Sequence, residues 1–435
     1  MTIEQLYKLY LQHPVISTDT RKISAGSLFF ALKGDKFNAN TFAKQALEAG
    51  AAYAIIDDSA YAVGDNYILV DDVLTTLQAL ARYHRSQLNI PVIGLTGSNG
   101  KTTTKELINA VLSQHFTTHA TQGNLNNHIG VPLTLLSLNK THEIAVIEMG
   151  ANHQKEIELL CSIAQPTHGL ITNIGRAHLE GFGGVEGVKK GKGELYDYLK
   201  VTNGTAFINS NSADLMQMQL DRQLQDTVFY GTGLMRNLIT GQLIENAPYL
   251  KLSWTNNINH YTYEVGSQLT GAYNLDNILA AITIGTYFQL NAEQINTGIS
   301  TYVPGNNRSQ IVKTATNTLI CDYYNANPSS MAVAIENISR IQAERKVLIL
   351  GDMFEMGPEA EAEHAAVAQK AVEANADECI FIGHEFCKLR PLPNAAFYQT
   401  AEDALTALQQ QPITNATILI KGSRGMALER LVPYL

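Results

Sequence analysis

Lys101 and Thr102 close a run, Val92-Ile93-Gly94-Leu95-Thr96-Gly97-Ser98-Asn99-Gly100-Lys101-Thr102-Thr103-Thr104, whose residue types suit phosphate chemistry. The apolar VIGL reads as a buried strand, the small residues as a tight turn, and the KELINAVLSQ that follows as a helix. Glycines in such a turn let backbone N–H groups converge on phosphate oxygens, and the helix N-terminus adds partial positive charge. Gly97, Asn99, Gly100 and Thr103 then cradle a nucleotide's phosphates, Lys101 reaches the terminal ones, and the Thr102 hydroxyl turns to Mg²⁺. The commonest form of this motif has glycine five residues before Gly100, where this chain has Leu95.

Other strand-like runs end in reactive residue types. IAVI ends at Glu148, a carboxylate placed to hold Mg²⁺ directly or through water, or else to cap or be solvated. Ligands bind at the C-terminal edge of a parallel sheet, where such a strand ends. His178 follows the run ITNIG; it suits a metal or a phosphoryl oxygen, or a plain surface position. Lys189, Lys190 and Lys192 form a small basic cluster that reads as a solvated turn, as phosphate steering, or as lysines that depress one another's pKa and free a reactive amine. Asn124, Asn126 and Asn127 crowd side-chain amides into one loop, fit for sugar hydroxyls and phosphates and equally for turns. Asp322, Asn325 and Asn327 do the same after the run TLIC. The guanine-reading Asn-Lys-x-Asp pattern is missing: Asn139-Lys140 runs on into Thr141-His142.

These residues need a scaffold of alternating strands and helices, and the 435-residue chain supplies it in three regions. Residues 1–88 alternate short strand-like pieces with helical stretches such as VLTTLQALARYHRSQL. Residues 89–304 hold the phosphate loop, further βα alternation, a polar strand-rich stretch and the closing helix NLDNILAAITIGTYF; Pro304-Gly305-Asn306-Asn307 reads as a linker. Residues 305–435 repeat strand and helix about every thirty residues, which implies a mostly parallel sheet with right-handed crossovers. The expected class is α/β in three domains. A formal charge of −9 speaks against broad binding to nucleic acid or anionic membrane. No apolar run approaches the ~18 residues of a membrane span, and MTIEQLYKLYLQHP lacks a signal-peptide layout. Cys161, Cys321, Cys379 and Cys387 form no CxxC pair and read as reduced, as in a cytoplasm.

In order along nearly the whole chain, these segments resemble the Mur ligase family, ATP-dependent amide-bond ligases of peptidoglycan synthesis. TGSNGKTTTKE resembles the family's TGxxGKTT loop, VIEMGAN its metal-binding glutamate at Glu148, and NIGRAHLEGFG its histidine segment at His178. Lys192 in KGKGELY matches a lysine that the family converts to an N-carbamate, an anion able to bridge to Mg²⁺; Gly191 and Gly193 replace the usual alanine-rich helix and imply a looser backbone. GNLNNHIGVPLTLL, DYYNANPSSM, LGDMFEMG and IKGSRGMALE resemble the member that adds D-alanyl-D-alanine to a UDP-MurNAc-tripeptide.

The resemblance implies a UDP-MurNAc-binding N-terminal domain over 1–88, a central P-loop ATPase-type parallel-sheet domain over 89–304 and a Rossmann-like acceptor-binding domain over 305–435. Ser17, Thr18, Asp19 and Arg21 lie near the UDP-sugar nucleotide, with Asn38-Ala39-Asn40 replacing the usual Asp-Gly-His. Asn274 and Asn277 contact adenine; Arg308, Asp322 and Asn325 complete the ATP site. Asn124, Asn126, Asn127, Asn327, Lys421 and Arg424 face the substrates. Thr102 and Glu148 hold one Mg²⁺, His178 and carbamylated Lys192 a second. Lys101, Lys192 and His178 are the catalytic set, and the enzyme is expected to act as a cytoplasmic monomer. The rivals are a diaminopimelate- or lysine-adding ligase, folylpolyglutamate synthase, or an ATP-dependent binding module that makes no amide bond.

Overall fold

The computed structural model describes residues 1–233, 236–246 and 249–435. The first region carries a four-stranded parallel sheet in the order Ile16–Ser17, Leu28–Phe30, Tyr53–Ile56, Tyr67–Leu69. Period-two alternation splits its core: Leu28, Phe30 and Ile55 join one buried cluster, while Phe29, Ala54 and Ile56 join another. The first cluster runs on through the helix Val73–Ser86 to Val131 and Leu135 of the next region, so one apolar core spans the residue-88 boundary.

The central sheet has nine strands, ordered Tyr261–Gly266, Lys251–Asn256, Ile239–Glu245, Thr227–Gly231, Thr205–Asn209, His168–Ile171, Val92–Thr96, Ile144–Glu148, Thr118–Ala120. The seven from Ile239–Glu245 to Thr118–Ala120 are parallel. The polar stretch adds an antiparallel hairpin at one edge. Val92–Thr96, Ile144–Glu148 and Thr205–Asn209 are buried along their whole lengths, as central strands covered on both faces must be. The helix Asn274–Tyr287 does not close this region as expected; a further helix, Ala292–Thr301, packs with it against the helix Lys101–Leu112.

The C-terminal sheet has the order Gln310–Lys313, Thr318–Asp322, Thr417–Lys421, Lys346–Gly351, Glu378–Ile382, Ala395–Tyr398; only the first strand is antiparallel. No helix among the described residues is long and apolar enough to cross a membrane.

Candidate active site

The phosphate loop leaves the strand Val92–Thr96 at Gly97, where φ is 144° and a Cβ would lie 2.0 Å from the Thr172 hydroxyl. Glycine is therefore required twice over, by conformation and by space. The loop after the strand His168–Ile171 braces it. Thr172 Oγ1 donates to Asn99 O (2.6 Å), Asn99 N–H to Asn173 Oδ1 (3.0 Å) and Gly175 N–H to Ser98 Oγ (2.9 Å). The helix Lys101–Leu112 starts at Gly100, φ 74°, with no side-chain cap, which leaves its first N–H groups for an anion. Lys101 Nζ meanwhile donates to Gly97 O (2.8 Å) and Ser98 O (3.2 Å). Burial pulls its pKa down to about 8; Glu148 opposes the shift and Arg308 adds to it.

Glu148, 1% exposed, ends its strand beside this loop. It accepts from Thr102 Oγ1 (2.9 Å) and from Asn126 Nδ2 (2.8 Å). No group of three or more His, Cys, Asp or Glu able to hold a metal is found among the described residues. A cation here needs further oxygens from a phosphate, the habit of Mg²⁺, which is bound by one or two carboxylates with substrate phosphates. One carboxylate beside one hydroxyl at the phosphate loop fits that ion.

A cavity of about 740 Å³ opens in front of the loop. Of the expected residues, Asn99, Gly100, Lys101, Thr103, Asn124, Asn126, Asn127, Glu148 and His178 line it from the central region, with Asn274 and Asn277. Arg308, Asp322, Asn325, Asn327 and Lys421 line it from the C-terminal region. The two asparagines stand behind the loop: Thr104 Oγ1 donates to Asn277 Oδ1 (3.0 Å), and Asn277 Nδ2 to Asn274 Oδ1 (2.8 Å). Arg308 stacks on Tyr324, 4.0 Å from the ring centre, and its buried Nε has no partner. Asn127 Oδ1 accepts from Ile129 and Gly130 N–H, at the start of the helix Gly130–Leu136. Lys421 Nζ, 2.6 Å from Asp322 Oδ2, neutralises that carboxylate rather than standing free for substrate.

Lys192 does not line the cavity. It sits 1% exposed behind Ala151, whose carbonyl accepts from its Nζ at 3.0 Å, and over the Phe182 ring. Its pKa is pushed well down by burial first and by Lys101 second. Mutual depression within the basic cluster is therefore corrected: Lys189 pairs with Glu186 and Asp214, which raise its pKa. The looser backbone expected at Gly191 and Gly193 is corrected too. Both lie inside an unbroken helix, Val185–Thr202, and a Cβ on either would fall within 2.4 Å of Phe182 or Arg222. These glycines permit close packing.

His178 adopts φ 52° at the start of the short helix Leu179–Phe182, and its Nδ1 pairs with Glu355 of the C-terminal region. Arg424 lines a smaller cavity of about 170 Å³ that His178, Asn325 and Asn327 share with the large one. Its guanidinium lies over Tyr324, with Nη1 3.4 Å from that hydroxyl. Ser17, Thr18, Asp19 and Arg21 lie apart from both cavities, on the N-terminal sheet edge. There Arg21 holds Asp19 through paired hydrogen bonds, which lower the Asp19 pKa to about 2. Sequence reasoning missed Ser98, Asn173, Ser329, Tyr324 and Glu355. Each lies inside a quoted motif without standing out there: Ser98 in TGSNGKTTTKE, Asn173 in NIGRAHLEGFG, Tyr324 and Ser329 in DYYNANPSSM, Glu355 in LGDMFEMG. Asn99 Nδ2 donates to the Ser329 hydroxyl (2.9 Å), while Asn327 Nδ2 donates to Asn99 Oδ1 (2.8 Å).

Three family models match in chain order: Mur ligase family, catalytic domain, over residues 14–85; Mur ligase middle domain, over 95–285; and Mur ligase, glutamate ligase domain, over 307–424. The chain is 36% identical over 437 residues to the UDP-N-acetylmuramoyl-tripeptide–D-alanyl-D-alanine ligase of Bacillus subtilis, covering 97% of this chain and 92% of the relative. It is 36% identical over 429 residues to the Escherichia coli protein of the same name, covering 97% and 93%. A crystal structure of MurF from Acinetobacter baumannii superposes with a TM-score of 0.87 at 30% identity, covering 96% of this chain and 92% of that one. A MurF ligase from Thermotoga maritima, in complex with ADP, shares the fold at a TM-score of 0.84 and 23% identity, covering 97% and 96%.

Proposed function

The chain belongs to the Mur ligase family, and on that footing we propose that it is the ATP-dependent ligase that joins D-alanyl-D-alanine to UDP-N-acetylmuramoyl-tripeptide in peptidoglycan precursor synthesis. The carrying observation is the seam at Asn99, where the phosphate loop meets Asn327 and Ser329 of the C-terminal region, so that one cavity is walled by both. ATP phosphorylates the tripeptide carboxylate and leaves as ADP; the neutral dipeptide amine attacks the acyl carbon, the nitrogen gives up a proton to water, and phosphate leaves with the C–O electron pair.

Each residue has a physical task in that sequence. Lys101 and the open N–H groups of its helix neutralise charge growing on the transferred phosphoryl. Thr102 and Glu148 would hold Mg²⁺ with the phosphates. Burial of Lys192 beside Lys101 favours its neutral amine, the form that takes up carbon dioxide; its carbamate and His178 would hold a second ion. Such ions, when bound, relieve the repulsion between carboxylate and phosphate. Asn274 and Asn277 meet the adenine, and Arg308 and Asn325 close the nucleotide site from the C-terminal side. Arg424 pairs with the dipeptide carboxylate through its planar fork. Residues 1–88 hold the UDP-sugar near Ser17, Thr18, Asp19 and Arg21, residues 89–304 the ATP, and residues 305–435 the acceptor. The enzyme works as a cytoplasmic monomer.

The test is mass spectrometry of the product formed from UDP-MurNAc-tripeptide, ATP and each of three acceptors. D-Ala-D-Ala should give the pentapeptide, and free lysine and diaminopimelate should give nothing. ATP hydrolysis indifferent to both organic substrates would overturn the reading in favour of a non-ligating ATPase.

A further inference from the structure

Glu355 faces the smaller cavity and has no task in the reaction as assigned. It lies four residues beyond the strand Lys346–Gly351, at φ 60°, a conformation that its surroundings must hold in place. Its loop is tied to the Arg424 loop: Phe354 N–H donates to Ser423 Oγ (2.9 Å), and Ser423 N–H to Asp352 O (3.1 Å). The lining of the smaller cavity carries one guanidinium, Arg424, and one carboxylate, Glu355, the sole carboxylate among the described lining residues. His178 and Asn325 belong to this cavity and to the one in front of the phosphate loop, so the two are separated by a shared wall.

A free dipeptide carries an ammonium at one end and a carboxylate at the other. Each charge must be paired if it is to leave water. A cavity with one group of each sign matches a zwitterion, and the pairing of Arg424 with the carboxylate leaves Glu355 for the nitrogen. We propose that Glu355 binds the ammonium group of the acceptor dipeptide and so sets its nitrogen at the wall shared with the phosphate cavity, where it attacks after giving up one proton to water. The assignment rests on the ligase reading. In the ligand-free protein the His178 imidazole occupies Glu355; the ammonium takes its place. Phe354 and Met356, on the same lining, offer apolar surface to the two methyl groups.

The test uses Glu355→Gln, which keeps the side chain's shape and removes its charge. Calorimetry would measure D-Ala-D-Ala and N-acetyl-D-Ala-D-Ala binding to enzyme loaded with UDP-MurNAc-tripeptide and a non-hydrolysable ATP analogue. Acyl phosphate formation without acceptor would be followed in parallel by the ADP burst. Wild type should prefer the free dipeptide by about tenfold, the worth of one charge-assisted hydrogen bond. In Glu355→Gln that preference should collapse toward one, with the KM for D-Ala-D-Ala raised about tenfold but not that for ATP. An undiminished preference in Glu355→Gln overturns the Glu355 assignment alone. No burst in the wild type overturns the ligase reading and this assignment with it.

Discussion

Lys101 is held ready by its own loop. Its ammonium rests on two carbonyls, Gly97 and Ser98, in a setting that already lowers its pKa to about 8, so an arriving phosphate relieves an existing electrostatic cost. Lys101→Ala should fold normally, as judged by its melting temperature, and lose roughly 10²–10³ in kcat, the scale of one charge-stabilising donor. Lys192→Ala should be nearly inactive and partly restored by acetate or formate, small anions able to fill the space of a carbamate; full activity without them would remove Lys192 from the mechanism. A pH effect arises far from the site, at His168. Burial lowers its pKa to about 4, against a weaker opposing pull from Asp226. Between pH 4 and 6.5 the unfolded chain therefore binds more protons there than the folded one, so stability is present above 6.5 and is lost as pH falls toward 4. His168→Phe, which keeps ring contact with Phe207, should remove roughly 1–3 kcal/mol of that acid loss, read from urea melts at the two ends of the window.

At the scale of elements, the helix Val185–Thr202 shows how glycine serves packing against its own propensity. A Cβ at Gly187 would lie 1.8 Å from the Phe182 backbone oxygen, which cannot move without unwinding the short helix Leu179–Phe182 that begins at His178. A Cβ at Gly193 would instead meet the tip of Arg222, a flexible chain that can swing away. Alanine gains up to about 1 kcal/mol of helix propensity at either position. Gly187→Ala should nonetheless destabilise the protein by about 1–3 kcal/mol, whereas Gly193→Ala should be close to neutral. Thermal melts of the two variants separate packing from propensity, and equal effects would refute the contrast.

For the whole molecule, the seam between the central and C-terminal regions is polar. It includes Asn99 with Asn327 and Ser329, His178 with Glu355, and Arg176 with both Glu359 and Glu363. Among the described residues, the buried apolar clusters of the C-terminal region contain no residue of the central one. Exposed ion pairs are worth about 0.2–1 kcal/mol each, enough to bias closure and too little to fix it. Reversing the charge with Arg176→Glu should increase the radius of gyration measured by X-ray scattering of the ligand-free enzyme. It should also raise the KM for ATP, with nucleotide plus tripeptide drawing the molecule closed again. An unchanged scattering profile would show that Arg176 does not govern the seam.

Local residue patterns sufficed wherever chemistry and backbone coincide. The phosphate loop, the strand end at Glu148 and the α/β alternation were all readable, because glycine placement, apolar runs and helix starts are properties of consecutive residues. The phosphate loop was identified despite Leu95, since its working parts are Gly97, Gly100 and the helix start at Lys101. What lay beyond such reading depends on contacts between distant residues. The Lys192 pKa is pushed down by burial behind Ala151 and by Lys101, not by its neighbours Lys189 and Lys190. Gly191 and Gly193 looked like flexibility until Phe182 and Arg222 filled the space beside them. Glu355 stands inside the LGDMFEMG motif with no role legible there, because its meaning comes from His178, 177 residues earlier, and from Arg424 on the same cavity lining. Spacing along the chain encodes which groups can do chemistry; burial and long-range charge, set when the sheets pack, decide which of them do.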